Sequence, residues 1–177
     1  VKWGIYSVES QTVTVDQMCD RALLAARSIK GQYGIYFAAY DDKLRDEPLR
    51  QQAIIDSMET ALEEGQFLVY LQPKYRICDE TMAGAEALVR WKHPEKGLVP
   101  PGEFIPVLEK NGFIINVDEY IWEKVFAYLG KLRKEGRTLI PVSINVSRLH
   151  AYDEKLTETL LRLREEYDVL PEYVPLE

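Results

Sequence analysis

Two short apolar segments carry polar side chains at alternate positions, and these residues have the means to do chemistry. Over residues 84–91, an extended chain sends Glu86, Leu88 and Arg90 to one face and Ala85, Ala87, Val89 and Trp91 to the other. Residues 140–147 repeat the pattern, with Ser143, Asn145 and Ser147 opposite Val142, Ile144 and Val146. The apolar sets suit packing beneath helices. A carboxylate and an Asn side-chain oxygen are hard ligands, suited to Mg²⁺ or Mn²⁺. A neighbouring guanidinium can hold a phosphate with two parallel hydrogen bonds. Plainer roles fit the same pattern: Glu86 solvated on a half-exposed strand, Arg90 paired with Glu86 two positions away, and Asn145 at an edge strand or turn. Taken alone, the pattern supports an α/β domain with an acidic site.

The elements that must position these residues alternate between strand and helix. Strands are expected at 1–8, 33–40, 67–71, 84–91, 140–147 and from 173 onward. A helix over 17–29 would start from an Asp16 cap and stop at Gly31. Residues 41–47 are charged and read as a linker or the approach to the next helix. That helix would have Pro48 in its first turn and Gly65 just past its end, with Ile54, Met58, Ala61 and Leu62 on one face. A short helical stretch from Pro101 to Gly112 should bend at Pro106. Asn116 can cap a further helix, with Glu119 placed to reach back and Val117, Ile121, Val125, Leu129 and Leu132 lining its buried side. Asp153 can cap a last one carrying Leu156, Leu160, Leu163 and Tyr167. Strands alternating with such helices imply βα units and a parallel sheet. A (β/α)₈ barrel takes roughly 250 residues, so residues 48–177 would be about half of one. Residues 1–47 form a β-α-β piece too small for its own core, expected to be the tail of a domain that began upstream.

Composition narrows the function. The 177 residues include 22 Lys+Arg against 29 Asp+Glu, a formal charge of −7, which argues against a DNA or RNA duplex as partner. No run of apolar residues is long enough to span a membrane, and the first ten residues lack a basic start followed by an apolar stretch. Cys19 and Cys78 fit no metal spacing and are expected to be buried, reduced thiols of a cytoplasmic protein. A Gly-rich phosphate loop, a G-x-S-x-G elbow and an H-E-x-x-H helix are all missing. His93 and His150 are too few for a histidine-rich metal site.

A longer series of motifs resembles one family. Residues 85–91, with Glu86-Ala87-Leu88 at their centre, look like the signature of EAL domains, bacterial cyclic di-GMP phosphodiesterases. Leu71-Gln72-Pro73 precedes it as the family's Gln-Pro does. Trp91-Lys92-His93-Pro94 with Gly97 and Pro100 resembles the next loop. Residues 104–109 with Gly112 resemble the helix that follows. Residues 143–147 are similar to the Asn-bearing strand, and Leu176-Glu177 to the start of Leu-Glu-Ile-Thr-Glu. The resemblance covers about 66–177. It implies a TIM-like barrel whose metal ligands include Glu86, Asn145 and Glu177, with Gln72 and Arg90 contacting the substrate and Arg90 on a phosphate. It implies hydrolysis of cyclic di-GMP to linear pGpG with Mg²⁺ or Mn²⁺, and it allows a homodimer. The alternative is an inactive EAL domain acting as a cyclic di-GMP receptor or interaction module. The family's Asp-Asp pair and its later Glu, Lys and Gln residues have no counterpart here. The chain is therefore expected to be a fragment holding half a metal site, and by itself inactive. Residues 1–47 are similar to the end of a GGDEF (diguanylate cyclase) domain: 16–30 resemble its last long helix and 33–41 its final strand. The stretch that would hold a GGDEF loop is not in the chain, so no cyclase activity is assigned.

Overall fold

The computed structural model describes residues 1–8, 12–152 and 154–177. The chain divides into two compact units, Val1–Ala53 and Ile54–Glu177. No helix among the described residues is long and apolar enough to cross a membrane.

In the first unit, β1 (Trp3–Ile5) and β2 (Phe37–Ala39) pair in parallel, with Trp3 opposite Phe37 and Ile5 opposite Ala39. Helix α1 (Val15–Ser28) connects them. Its cap is Thr14 and not Asp16. The Thr14 hydroxyl accepts from the Gln17 amide while the Gln17 side chain accepts from the Thr14 amide, so two otherwise orphaned donors are satisfied reciprocally. Helix α2 (Asp42–Glu63) follows at once. The charged stretch read as a linker or the approach to this helix is its first turns, because Lys, Arg and Glu are good helix formers whose charges stay in water. Pro48 consequently lies inside the helix and not in its first turn. Cys19 and Cys78 are both exposed free thiols, against the expectation of burial. Asp153, expected as a cap, lies outside the described residues.

The second unit is built on a four-stranded sheet. Strands β3 (Phe67–Tyr75) and β4 (Met82–His93) form an antiparallel hairpin, which corrects the expectation of uniformly parallel pairing. Only about six residues join them, enough for a turn and too few for the crossover a parallel pair needs. The other edge of β4 is shared: β6 (Val142–Ile144) runs parallel to residues 85–87, and β5 (Gly97–Val99), unforeseen in the sequence, runs antiparallel to residues 91–93. Ile144 in turn bridges Leu176 in parallel. Helix α3 (Pro101–Asn111) ends on Gly112 at φ 85°, the left-handed conformation that glycine adopts without a Cβ clash. Helix α4 (Ile114–Lys134) begins before Asn116, which lies within it and not at its cap. Helix α5 (Leu156–Tyr167) ends on Asp168.

Burial follows the alternation in the strands. Ala85, Ala87, Val142 and Ile144 press against Trp122, Val125, Phe126 and Leu129 of α4 and Leu163 of α5. Phe67, Trp91 and Val99 meet Phe104, Leu108, Ile114, Val117 and Ile121, together with Ile54, Met58 and Ala61 of α2. The expected stripe of Val117, Ile121, Val125, Leu129 and Leu132 is buried throughout. Each large apolar side chain so buried contributes about 1.5–3 kcal/mol. With one face of the sheet committed to helices, Glu86, Arg90 and Ser143 are fixed on the other.

Candidate active site

Register places the polar residues. Gln72 of β3 lies directly opposite Glu86 of β4, and Ser143 of β6 is opposite Glu86 on the other side. Directly paired residues project to the same face, so Gln72, Glu86 and Ser143 form one row across the sheet. Asn145 stands just past the end of β6, and its side-chain amide donates to Glu86 Oε1 at 3.1 Å. Two residues 59 positions apart in sequence therefore touch.

Arg90 lies two positions along from Glu86 on the same face. It does not pair with Glu86. Its guanidinium sits 5.8 Å over the Tyr70 ring, and its Nη1 donates to the Val89 carbonyl at 2.9 Å. Glu177 is held by backbone bonds to Ile144 and Val146. Its carboxylate pairs with Lys74, whose Nζ also donates to Ser143 Oγ at 2.8 Å. The Lys74 ammonium and then the Ser143 hydroxyl hold the Glu177 carboxyl below the usual carboxylate range.

Where β6 ends and β4 continues, the sheet leaves a cleft of about 340 Å³, lined among others by Glu86, Arg90, Glu109, Asp118, Asn145 and Arg148. Asp118 is a residue that the sequence reading missed. It lies on α4 between Val117 and Ile121, and burial raises its carboxyl to about 7, with the nearby Glu109 charge adding to the rise and the Ser147 N–H opposing it. His150 Nε2 lies 3.3 Å from Asp118 Oδ2. The only legible signal was the spacing of Asp118 and Trp122, four apart at the edge of a buried helical stripe.

Among the described residues, no group of three His, Cys, Asp or Glu side chains could by itself hold a metal ion. The donors from adjacent strands are instead two carboxylates and an amide: Glu86, Glu177 and Asn145. Turning the Asn145 amide about its last torsion presents Oδ1 in place of Nδ2, giving an all-oxygen set. Such a set fits a hard divalent cation.

The EAL domain family model matches residues 55–177. The chain belongs to the EAL family. Among curated proteins it is 30% identical over 168 residues to the cyclic di-GMP phosphodiesterase PA2567 of Pseudomonas aeruginosa, covering 94% of this chain and 28% of that protein. It is 27% identical over 158 residues to the bifunctional diguanylate cyclase/cyclic di-GMP phosphodiesterase MucR of the same organism, covering 89% and 23%. Among solved structures, the cyclic di-GMP complex of the phosphodiesterase PaMucR superposes with a TM-score of 0.66 at 27% identity, over 70% of this chain and 50% of that one. The EAL chain thus spans about a quarter of the curated relatives' length, and it shares the α/β fold of EAL domains.

Proposed function

We propose that the protein carrying this EAL segment hydrolyses cyclic di-GMP to linear pGpG with Mg²⁺ or Mn²⁺, residues 48–177 forming the first half of the barrel. The observation that carries the reading is the contact of Glu86 with Asn145 on the face that Arg90 shares, beside one cleft. Glu86, Asn145 and Glu177 would hold the cation, which when bound supplies positive charge to the phosphate and lowers the pKa of a water. Arg90 orients a phosphate through its planar fork of donors. Gln72, opposite Glu86, offers an amide donor and acceptor to the dinucleotide. The relatives' names, which include a cyclic di-GMP phosphodiesterase, point to the same substrate. Residues 1–47 are read as the end of a GGDEF-like domain. Their parallel β-α-β order supports this.

The test is turnover of cyclic di-GMP by the full-length protein, followed chromatographically with Mg²⁺, with Mn²⁺ and with chelator. The expected product is pGpG, lost on chelation. Glu86→Ala should lower the rate on the order of a hundredfold or more by weakening cation binding. Folded protein that binds the dinucleotide but turns none over in either metal would refute hydrolysis and leave a receptor. Wild-type rates in Glu86→Ala would refute the ligand assignment.

A further inference from the structure

We propose that Asp118 and Trp122 of α4 are positioning residues for Asn145, clamping the backbone at its carbonyl and two residues beyond so that its amide stays over Glu86. The proposal rests on the reading of Glu86 and Asn145 as cation ligands. Asn145 needs such support because β6 ends at Ile144, so its backbone has left the ladder with β4. Its neighbours Ile144 and Val146 keep backbone bonds to Glu177 on the other edge, and on the β4 side two bonds from one helix face replace the ladder. The Trp122 indole N–H donates to the Asn145 carbonyl at 2.9 Å. Two residues later, the Ser147 amide donates to Asp118 Oδ2 at 3.1 Å. Asp118 and Trp122 are one turn apart on α4 and so reach the same strip of chain.

The clamp is itself held. Trp122 is fully buried, and its ring lies 4.6 Å from that of His150, which is 1% exposed. The His150 amide donates to the Ser147 carbonyl at 2.9 Å, and His150 Nε2 lies 3.3 Å from Asp118 Oδ2. Residues 145–150 therefore close back onto the groups that grip them. A close-packed interior leaves the indole no room to shift. Freeing either bond leaves the Asn145 backbone held by the Glu177 strand alone, and a drift of an ångström is enough to break a 3.1 Å contact.

The test is Mn²⁺ binding to the full-length protein without substrate, read from the electron paramagnetic resonance of free Mn²⁺. Trp122→Phe and Asp118→Leu should each weaken binding about 10- to 100-fold, the usual cost of losing a group that orients a ligand. Asp118→Asn keeps an acceptor for the Ser147 amide and should restore affinity to within about threefold of wild type. Leu129→Ala, on the same helix and fully buried, should lower the unfolding midpoint and leave Mn²⁺ affinity unchanged. Wild-type affinity in both Trp122→Phe and Asp118→Leu would overturn the proposal. So would an equal loss in Leu129→Ala, which would make the effect a general loosening of the fold. Absence of Mn²⁺ binding in the wild type would instead overturn the ligand assignment beneath it.

Discussion

Raising the pH should weaken the second unit through one buried carboxyl. Asp118 ionises at about 7 in the folded chain and at 3.8 when fully solvated. Between these values the folded state holds a proton that the unfolded state has released, so stability falls as pH rises. The proton's contribution is complete below the lower value and gone above the upper one. The gap, about 7 less 3.8, is about three pH units. At 1.36 kcal/mol per unit it amounts to roughly 4 kcal/mol, a large part of the 5–15 kcal/mol that typically separates folded from unfolded domains. Glu109 adds to the shift, while His150 faces the same oxygen; an imidazolium there would keep Asp118 ionised and cancel the slope. Asp118→Asn cannot titrate yet still accepts from Ser147. Urea unfolding of both proteins from about pH 5 to pH 8, followed by the fluorescence of buried Trp91 and Trp122, measures the difference. Relative to the Asn variant, wild type should lose about 1.4 kcal/mol per pH unit until near neutrality and then level off. Parallel pH profiles for the two proteins would refute the reasoning and place a charged carboxylate inside the fold.

Two other perturbations test the frame around the site. A Cβ at Gly84 would lie 2.6 Å from the Pro141 carbonyl oxygen, a backbone atom that cannot swing aside. Gly84→Ala should therefore cost about 1–3 kcal/mol in urea unfolding; an unchanged midpoint would show that the strands give way freely. Lys74→Met removes the cation paired with Glu177, so the Glu177 carboxyl should titrate closer to the ordinary carboxylate range in a ¹³C NMR titration. An unmoved titration would mean that Ser143 alone holds it.

What the sequence made legible follows from periodicity. Alternation over 84–91 set Glu86 and Arg90 apart from Ala85, Ala87 and Trp91, and helical spacing picked out the buried stripe of α4. Both depend on a few neighbouring residues facing water or helix, which a local pattern records. Pairing partners were less visible. Nothing in the apolar run at 67–71 distinguishes an antiparallel neighbour from a parallel one, and β5 is too short to show a period. Caps were misplaced where several candidates compete: Thr14 outdid Asp16, and α4 started before Asn116. Asp118 and His150 escaped notice because their meeting depends on how residues 145–150 turn back over α4, and that is decided by packing.

The shared edge of β4 has a consequence for the order of assembly. Strands β3 and β4 are joined by a short turn, and a hairpin of this kind closes within microseconds. Glu86 and Asn145 are separated by 59 positions, and contacts so distant along the chain come later in folding. The hairpin that displays Gln72, Glu86 and Arg90 can thus exist before the fold has a pocket. Maturation of the pocket waits on the docking of α4, which brings the chain after Ile144 down beside an already formed floor.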